Sequence, residues 1–218
     1  MRKKKFFLAA ALTAMMMGMS SLPAAVPSAE ASVETMTAGN ADMKYPYVHL
    51  KDDAAIEVKI NADIRSQLDD MRYGLGYHYD QISTSYQCKY EGQRYVSLIL
   101  CVWTYNHGAA HGMPHYRGVT YDKENGERAS IRDFVKISSD DADRIYNLPV
   151  FSISGKLIPK YDLFSEYADT PLSGNFFLAG HGQIGLIYQP YQLAAFVYGM
   201  TSIILPTSLV EELNEKNP

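Results

Sequence analysis

The 218-residue chain carries 24 acidic and 20 basic side chains, a net charge of −4, 47% hydrophobic residues and two cysteines. The acidic balance argues against a nucleic-acid binder, and two cysteines argue against a disulfide-built scaffold. The apolar share suffices for one domain or two closely packed lobes.

The chain opens with Arg2, Lys3, Lys4 and Lys5, then an uncharged apolar run from Phe6 to about Met19, then small residues ending in Ala29-Glu30-Ala31. These are the regions of a secretory signal peptide over residues 1–31, with cleavage expected between Ala31 and Ser32. The apolar run is shorter than the ~20 residues of a spanning helix, so no membrane attachment is expected after cleavage. Residues 1–31 hold four basic side chains and one acidic, so the remainder carries −7. The expected location is outside the cytoplasm: periplasmic, wall-associated or secreted.

Residues 32–44 lack periodicity and read as a flexible lead-in. Residues 45–50 are short and aromatic, the pattern of a strand. Asp52 or Asp53 then caps a helix whose Ile56, Ile60, Ile64, Leu68 and Met71 share one face, closed near Gly74 and Gly76. Strands are expected at about 81–90 and 93–104, joined at Glu91-Gly92, and at 116–121, followed by a turn over 122–126. A helical turn at 131–135 and a short acidic helix within 138–147 come next. The segment 148–173 stays unassigned. Residues 176–179 and 184–188 form a second hairpin, 202–205 a last strand and 209–213 a terminal helix. The expected fold class is α+β, with antiparallel or mixed sheets of hairpin-connected strands packed against one long N-terminal helix and short helices. One domain is expected over 45–213, divisible into lobes at about 45–115 and 116–213.

In the first hairpin, pairing Tyr90 with Gln93 puts Cys88 six residues along the strand from Cys101. At ~3.3 Å per residue no disulfide can close that gap, which leaves two buried thiols.

Residues 107–115 read HGAAHGMPH, with His107, His111 and His115 at four-residue intervals. On a helix that spacing would stack three imidazoles for a metal. Gly108, Gly112 and Pro114 oppose a helix, by ~1 kcal/mol for Gly and ~3 kcal/mol for Pro, and also weaken a strand. The stretch reads as a loop between two strands, where even spacing carries no coordination geometry. No metal and no cofactor is expected. Gly180-His181-Gly182-Gln183-Ile184-Gly185 spells the dinucleotide fingerprint, but LIYQPY after it reads as strand and turn, so the glycines belong to a hairpin. No nucleophile elbow and no cysteine in a cationic loop is present, so no catalytic residue is assigned. Among the 17 tyrosines, Tyr77 and Tyr79 sit in the glycine-spaced RYGLGYHYD, a composition suited to contact with a partner.

GAAHGMPHYRGVTYDKENGE, IRDF and NFFLAGHGQIGLIYQPYQLAAFVYGMTSIILP together resemble a family of exported bacterial domains of uncharacterised role. The same domain forms the extracellular part of the anti-sigma factor RsiV and an accessory region of the peptidoglycan deacetylase PdaC. The matching residues are Ala110-His111-Gly112, Tyr121-Asp122 with Gly126, Asp133-Phe134, and Pro190-Tyr191 with Leu193-Ala194, Gly199 and Pro206. Ala109 departs from the family's second glycine, and 138–158 is shorter than usual. The sigma-binding and deacetylase segments of those proteins have no counterpart here, so neither activity is expected. The resemblance implies a cell-envelope binding domain and, by analogy with the anti-sigma factor, a basic protein such as lysozyme as partner. Tyr77, Tyr79, His107, His111 and His115 are the expected contact residues. The alternatives are a metal-dependent envelope enzyme using His107, His111 and His115, perhaps joined by His181, and a purely structural domain. Nothing in the sequence sets the oligomeric state.

Overall fold

The computed structural model describes residues 31–37, 43–75 and 79–217. Residues 1–30 of the expected signal peptide and Tyr77 lie outside them. The chain is α+β, and its sheets are antiparallel.

Strand β1 (Ala31–Thr37) pairs antiparallel with β2 (Lys44–Leu50), Val33 opposite Val48. Part of the stretch read as a lead-in therefore forms a strand, in which Val33 is half-buried. Helix α1 (Ala54–Gly74) begins at Asp53, whose Oδ1 accepts from the N–H groups of Ala55 and Ile56 at 3.1 and 3.0 Å. Its buried face holds Ile60, Ile64, Leu68 and Met71, each worth ~1.5–3 kcal/mol in apolar burial. Asn61 is also buried there. Its amide accepts from Val48 N at 2.8 Å and donates to Val48 O at 2.7 Å, doing for β2 what a neighbouring strand would.

Strands β3 (Gln81–Glu91), β4 (Tyr95–Tyr105) and β5 (Met113–Asp122) form a sheet in that order. β4 divides its side chains by parity. Val96, Leu98, Leu100 and Val102 pack with the apolar face of α1, while Ile99 faces Phe177, Ile187 and Met200 of a second sheet.

That second sheet is built from β6 (Val150–Ser152), β7 (Leu157–Ile158), β8 (Phe176–Gly180), β9 (Gln183–Tyr188) and β10 (Thr201–Leu205), in the order β7-β6-β10-β9-β8. Its far face is covered by helices α2 (Ala142–Tyr146) and α3 (Thr207–Lys216), through Ile145, Leu209, Val210 and Leu213. The layers therefore run helix, sheet, sheet, helices. Residues 148–173, unassigned from sequence, supply β6, β7 and the 3₁₀ turns Lys160–Asp162 and Tyr167–Asp169.

The β3–β4 register differs from the expected one. Cys88 stands opposite Leu98 and Cys101 opposite Ser85, with a bulge between Cys88 and Tyr90. The cysteines are three strand positions apart, ~10 Å, and both are free. Cys101 is buried but Cys88 is exposed, which corrects the expectation of two buried thiols.

β5 is a sheet edge, and its outward backbone groups are blocked one by one. Pro114 has no N–H to offer. Tyr116 exchanges two hydrogen bonds with the Gln189 side chain, Gly118 N donates to Asn175 Oδ1 at 2.7 Å, and Thr120 O accepts from Ala129 N at 2.8 Å. An edge occupied in this way cannot template another strand. It also explains why Pro114 is tolerated in a strand.

Candidate recognition site at the His111 loop

The histidine stretch falls partly outside the expected loop. The loop spans 106–112, and His115 lies in β5 opposite Val102. The three imidazoles go to three different surroundings. His107 sits at the tip, where Asp80 Oδ2 accepts from its backbone N–H at 2.6 Å and lies 2.9 Å from its Nδ1. Those bonds hold the Asp80 carboxyl below the usual range. His115 lines a small cleft with Gln189 and Asp70, and burial pushes its pKa down, favouring the neutral ring.

His111 is joined to residues 80 and 85 positions away. Its ring stacks on Phe196 with centroids 3.8 Å apart and planes at 20°, and Tyr191 lies beside both at 6.3 and 5.7 Å. The hydrogen bonds define the neutral tautomer. A carbonyl only accepts, so Nδ1–H donates to Gly112 O at 2.9 Å; Nε2 is left to accept from the Tyr191 hydroxyl at 3.1 Å. Tyr191 is held at φ +69°, a left-handed conformation that costs a non-glycine residue ~1 kcal/mol or more. Gly112 fits against the Trp103 indole so closely that a Cβ would lie 2.0 Å from Cζ2. The segment is thus fixed against Trp103, while the His111 and Tyr191 side chains are exposed and Phe196 is half-buried.

Tyr79 is half-buried and its hydroxyl donates to Leu75 O at 2.8 Å, clasping the end of α1. His181 sits in the β8–β9 turn at φ +50°, next to Gly182 at φ +74°, a backbone suited to a two-residue hairpin. Its carbonyl accepts from Thr207 Oγ1. Among the described residues no three His, Cys, Asp or Glu side chains gather as a metal site would require. A cleft of about 560 Å³ lies between residues 131–142 and 168–174, and Arg132 and Asp169 are the ionisable side chains on its described walls.

The short matching motifs divide the same way. Tyr121 is fully buried with its hydroxyl on Asp63 at 2.8 Å, Asp122 receives Arg94 Nε and Nη2, and Asp133 accepts from Ser130 N at 2.6 Å. Phe134 packs on Tyr95 and Phe176, and Leu193 and Ala194 are buried. These residues serve the fold. His111 and Tyr191 are the two large motif side chains left exposed, and they touch each other. Sequence reading singled out His111 as a contact residue, took Tyr191 only as part of a matching motif, and missed Phe196. The glycine-poor YQPYQLAAF offered no sign that Tyr191 would turn left-handed.

Two solved structures share this architecture. One, from Pseudomonas aeruginosa PAO1, is described as a DUF3298 family protein; it is 17% identical over 84% of this chain and 90% of its own, with a TM-score of 0.51. The other, from Bacteroides fragilis NCTC 9343, is described as a DUF3298 member; it is 13% identical over 84% of this chain and 92% of its own, with a TM-score of 0.54. The fold is the DUF3298 fold. At such identities the likeness extends to the fold alone. No family model and no curated protein matches the sequence. Within the DUF3298 fold of this chain, the His111–Tyr191–Phe196 stack joins the β4–β5 connection of one sheet to the β9–β10 connection of the other.

Proposed function

We propose that this chain is an exported, non-enzymatic binding domain of the bacterial cell envelope whose partner is a basic protein of the lysozyme or muramidase type. One observation carries the reading: the stack of exposed His111 and Tyr191 on half-buried Phe196, at a junction of two loops and held by hydrogen bonds. Rigid rings that present an apolar face with a polar tip make good anchors, because little side-chain entropy remains to be lost on binding. The charge of −7 over residues 32–218 favours encounter with a cationic partner. The resemblance of residues 45–213 to the extracellular domain of the anti-sigma factor supports lysozyme as that partner.

The test begins with the chain expressed with its own leader. Its intact mass should correspond to residues 32–218. Titration against an animal-type lysozyme should release heat, and the complex should inhibit muramidase activity. Neither heat nor inhibition at tens of micromolar would remove the lysozyme reading.

The variant Tyr191→Gly separates recognition from folding. Glycine adopts φ +69° without strain, which offsets the lost ring contacts, so stability should change by less than ~1 kcal/mol. Lysozyme affinity should fall at least tenfold. Unchanged affinity in a folded variant would place recognition elsewhere.

A further inference from the structure

Seven large apolar side chains are exposed among the described residues, and five of them, Leu157, Tyr161, Phe164, Tyr191 and Val197, fall in two segments, 157–164 and 191–197. The segments are tied together. Leu163 and Ala194 form an antiparallel bridge, Phe164 N donates to Leu193 O at 3.0 Å, and the Tyr198 hydroxyl donates to Asp162 at 2.5 Å. The 3₁₀ turns Lys160–Asp162 and Phe196–Tyr198 flank that bridge, and the Tyr198–Asp162 bond ties one to the other. Tyr161, 86% exposed, stands in the first of these turns, and Phe196, stacked with His111 and Tyr191, in the second. Clustered apolar exposure of this kind marks an interaction surface more often than scattered exposure does.

The same segment is acidic. Residues 161–169, YDLFSEYAD, contain Asp162, Glu166 and Asp169 and no cation; Lys160 precedes them. Asp162 is engaged by Tyr198. Glu166 and Asp169 are exposed, and neither makes an ion pair among the described residues. Aromatic faces with free carboxylates beside them complement a cation that is only weakly hydrated. The ring quadrupole attracts it within ~6 Å and the carboxylate accepts its hydrogen bonds.

We propose that the surface formed by Tyr161, Phe164, Glu166, Asp169, Tyr191 and Val197 recognises arginine and lysine side chains of a protein partner. The proposal rests on the reading of the chain as a binding domain for a basic protein, and it names the surface and the chemistry of contact. Charge decides against other occupants. A second copy of the chain would bring carboxylates against carboxylates, and an anionic lipid surface would repel them.

The full chain, expressed with its leader, is titrated with two probes, an animal-type lysozyme and poly-L-arginine, at low and moderate salt. The comparison is the triple variant Tyr161→Ser/Glu166→Gln/Asp169→Asn, whose changes all lie at exposed positions; its circular dichroism and Tm should match the parent. If it does not fold, Glu166→Gln/Asp169→Asn replaces it. The expected result is at least a tenfold loss of affinity for both probes and a shallower salt dependence. If lysozyme binds parent and variant equally, the surface is wrong and the lysozyme reading stands. If lysozyme does not bind the parent while poly-L-arginine does, and the variant loses it, the surface stands and the lysozyme reading fails. If neither probe binds the parent, both are overturned.

Discussion

Gly118→Ala should destabilise the protein by ~3 kcal/mol or more, near the upper end of overpacking costs. Gly118 lies in β5 where β8 crosses it. A Cβ there would sit 1.8 Å from Phe176 O and 2.7 Å from Phe176 C, with Ile187 Cδ1 at 2.9 Å. The obstruction is backbone, so no rotamer change relieves it. β8 is also pinned on both sides of the contact: Asn175 bonds Gly118 N and Tyr116 O, and Leu178 N donates to the buried Ser97 Oγ at 3.0 Å. Relief requires the two sheets to separate, exposing Ile99, Phe177, Ile187 and Met200. In thermal unfolding the loss should appear as a fall of roughly 10 °C in Tm for a chain of this size. Gly174→Ala is the control, since nothing lies within 4 Å of its Cβ position, and surface changes of that kind stay within ~0.5 kcal/mol. A cost below ~1 kcal/mol for Gly118→Ala would mean that the sheets do not meet there.

The contrast between Gly118 and Gly174 shows what the sequence could and could not reveal. Local patterns were legible because local physics makes them. Ile60, Ile64, Leu68 and Met71 repeat at helical spacing and are all buried. Asp53 before them is a cap. The turn through His181 and Gly182 follows from strand-like residues on both sides. Register was less legible. The β3–β4 pairing turns on a bulge between Cys88 and Tyr90 and a turn through Gly92, and an alternating pattern does not record where an extra residue is inserted.

The candidate site was legible only on one side. The even spacing of His107, His111 and His115 drew attention to the right loop for a reason the structure does not support, since the rings diverge to Asp80, to Tyr191 and into β5. What selects His111 is a partner 80 residues on, reached because β4–β5 and β9–β10 belong to sheets that pack face to face. Contacts of that range carry no periodic signal. The same holds for 148–173, ordered by ties such as Tyr146 OH to Thr170 O at 2.5 Å and Tyr167 OH to Tyr146 O at 2.9 Å.

Asp141→Ala should cost ~3 kcal/mol at neutral pH, the scale of removing one partner from a buried, hydrogen-bonded charge. The Asp141 side chain is 2% exposed, and its carboxylate gathers Lys216 Nζ at 2.6 Å, Ser138 N at 2.9 Å, Ser138 Oγ at 2.8 Å and Asn217 Nδ2 at 3.0 Å. It thereby closes the 3₁₀ turn Ser139–Asp141 and fastens the end of α3 to it. The Lys216 ammonium, ahead of the serine and asparagine donors, holds the carboxyl far below its usual range. Lys216 is half exposed, so solvent screens part of its charge and the hydrogen bonds carry much of the effect. The sign follows from linkage. The folded pKa lies below the unfolded value of ~3.9, so the stabilisation is fully present above about pH 5 and drains as pH falls toward the folded value. Urea unfolding at pH 7, 5 and 3 should show parent and variant converging as the solution is acidified, because the parent loses what the variant never had. Parallel curves across that range would assign the acid sensitivity to other carboxylates, and α3 would then owe its attachment to the apolar contacts of Leu209, Val210 and Leu213 and to hydrogen bonds such as Lys136 N to Asn214 Oδ1 at 2.8 Å.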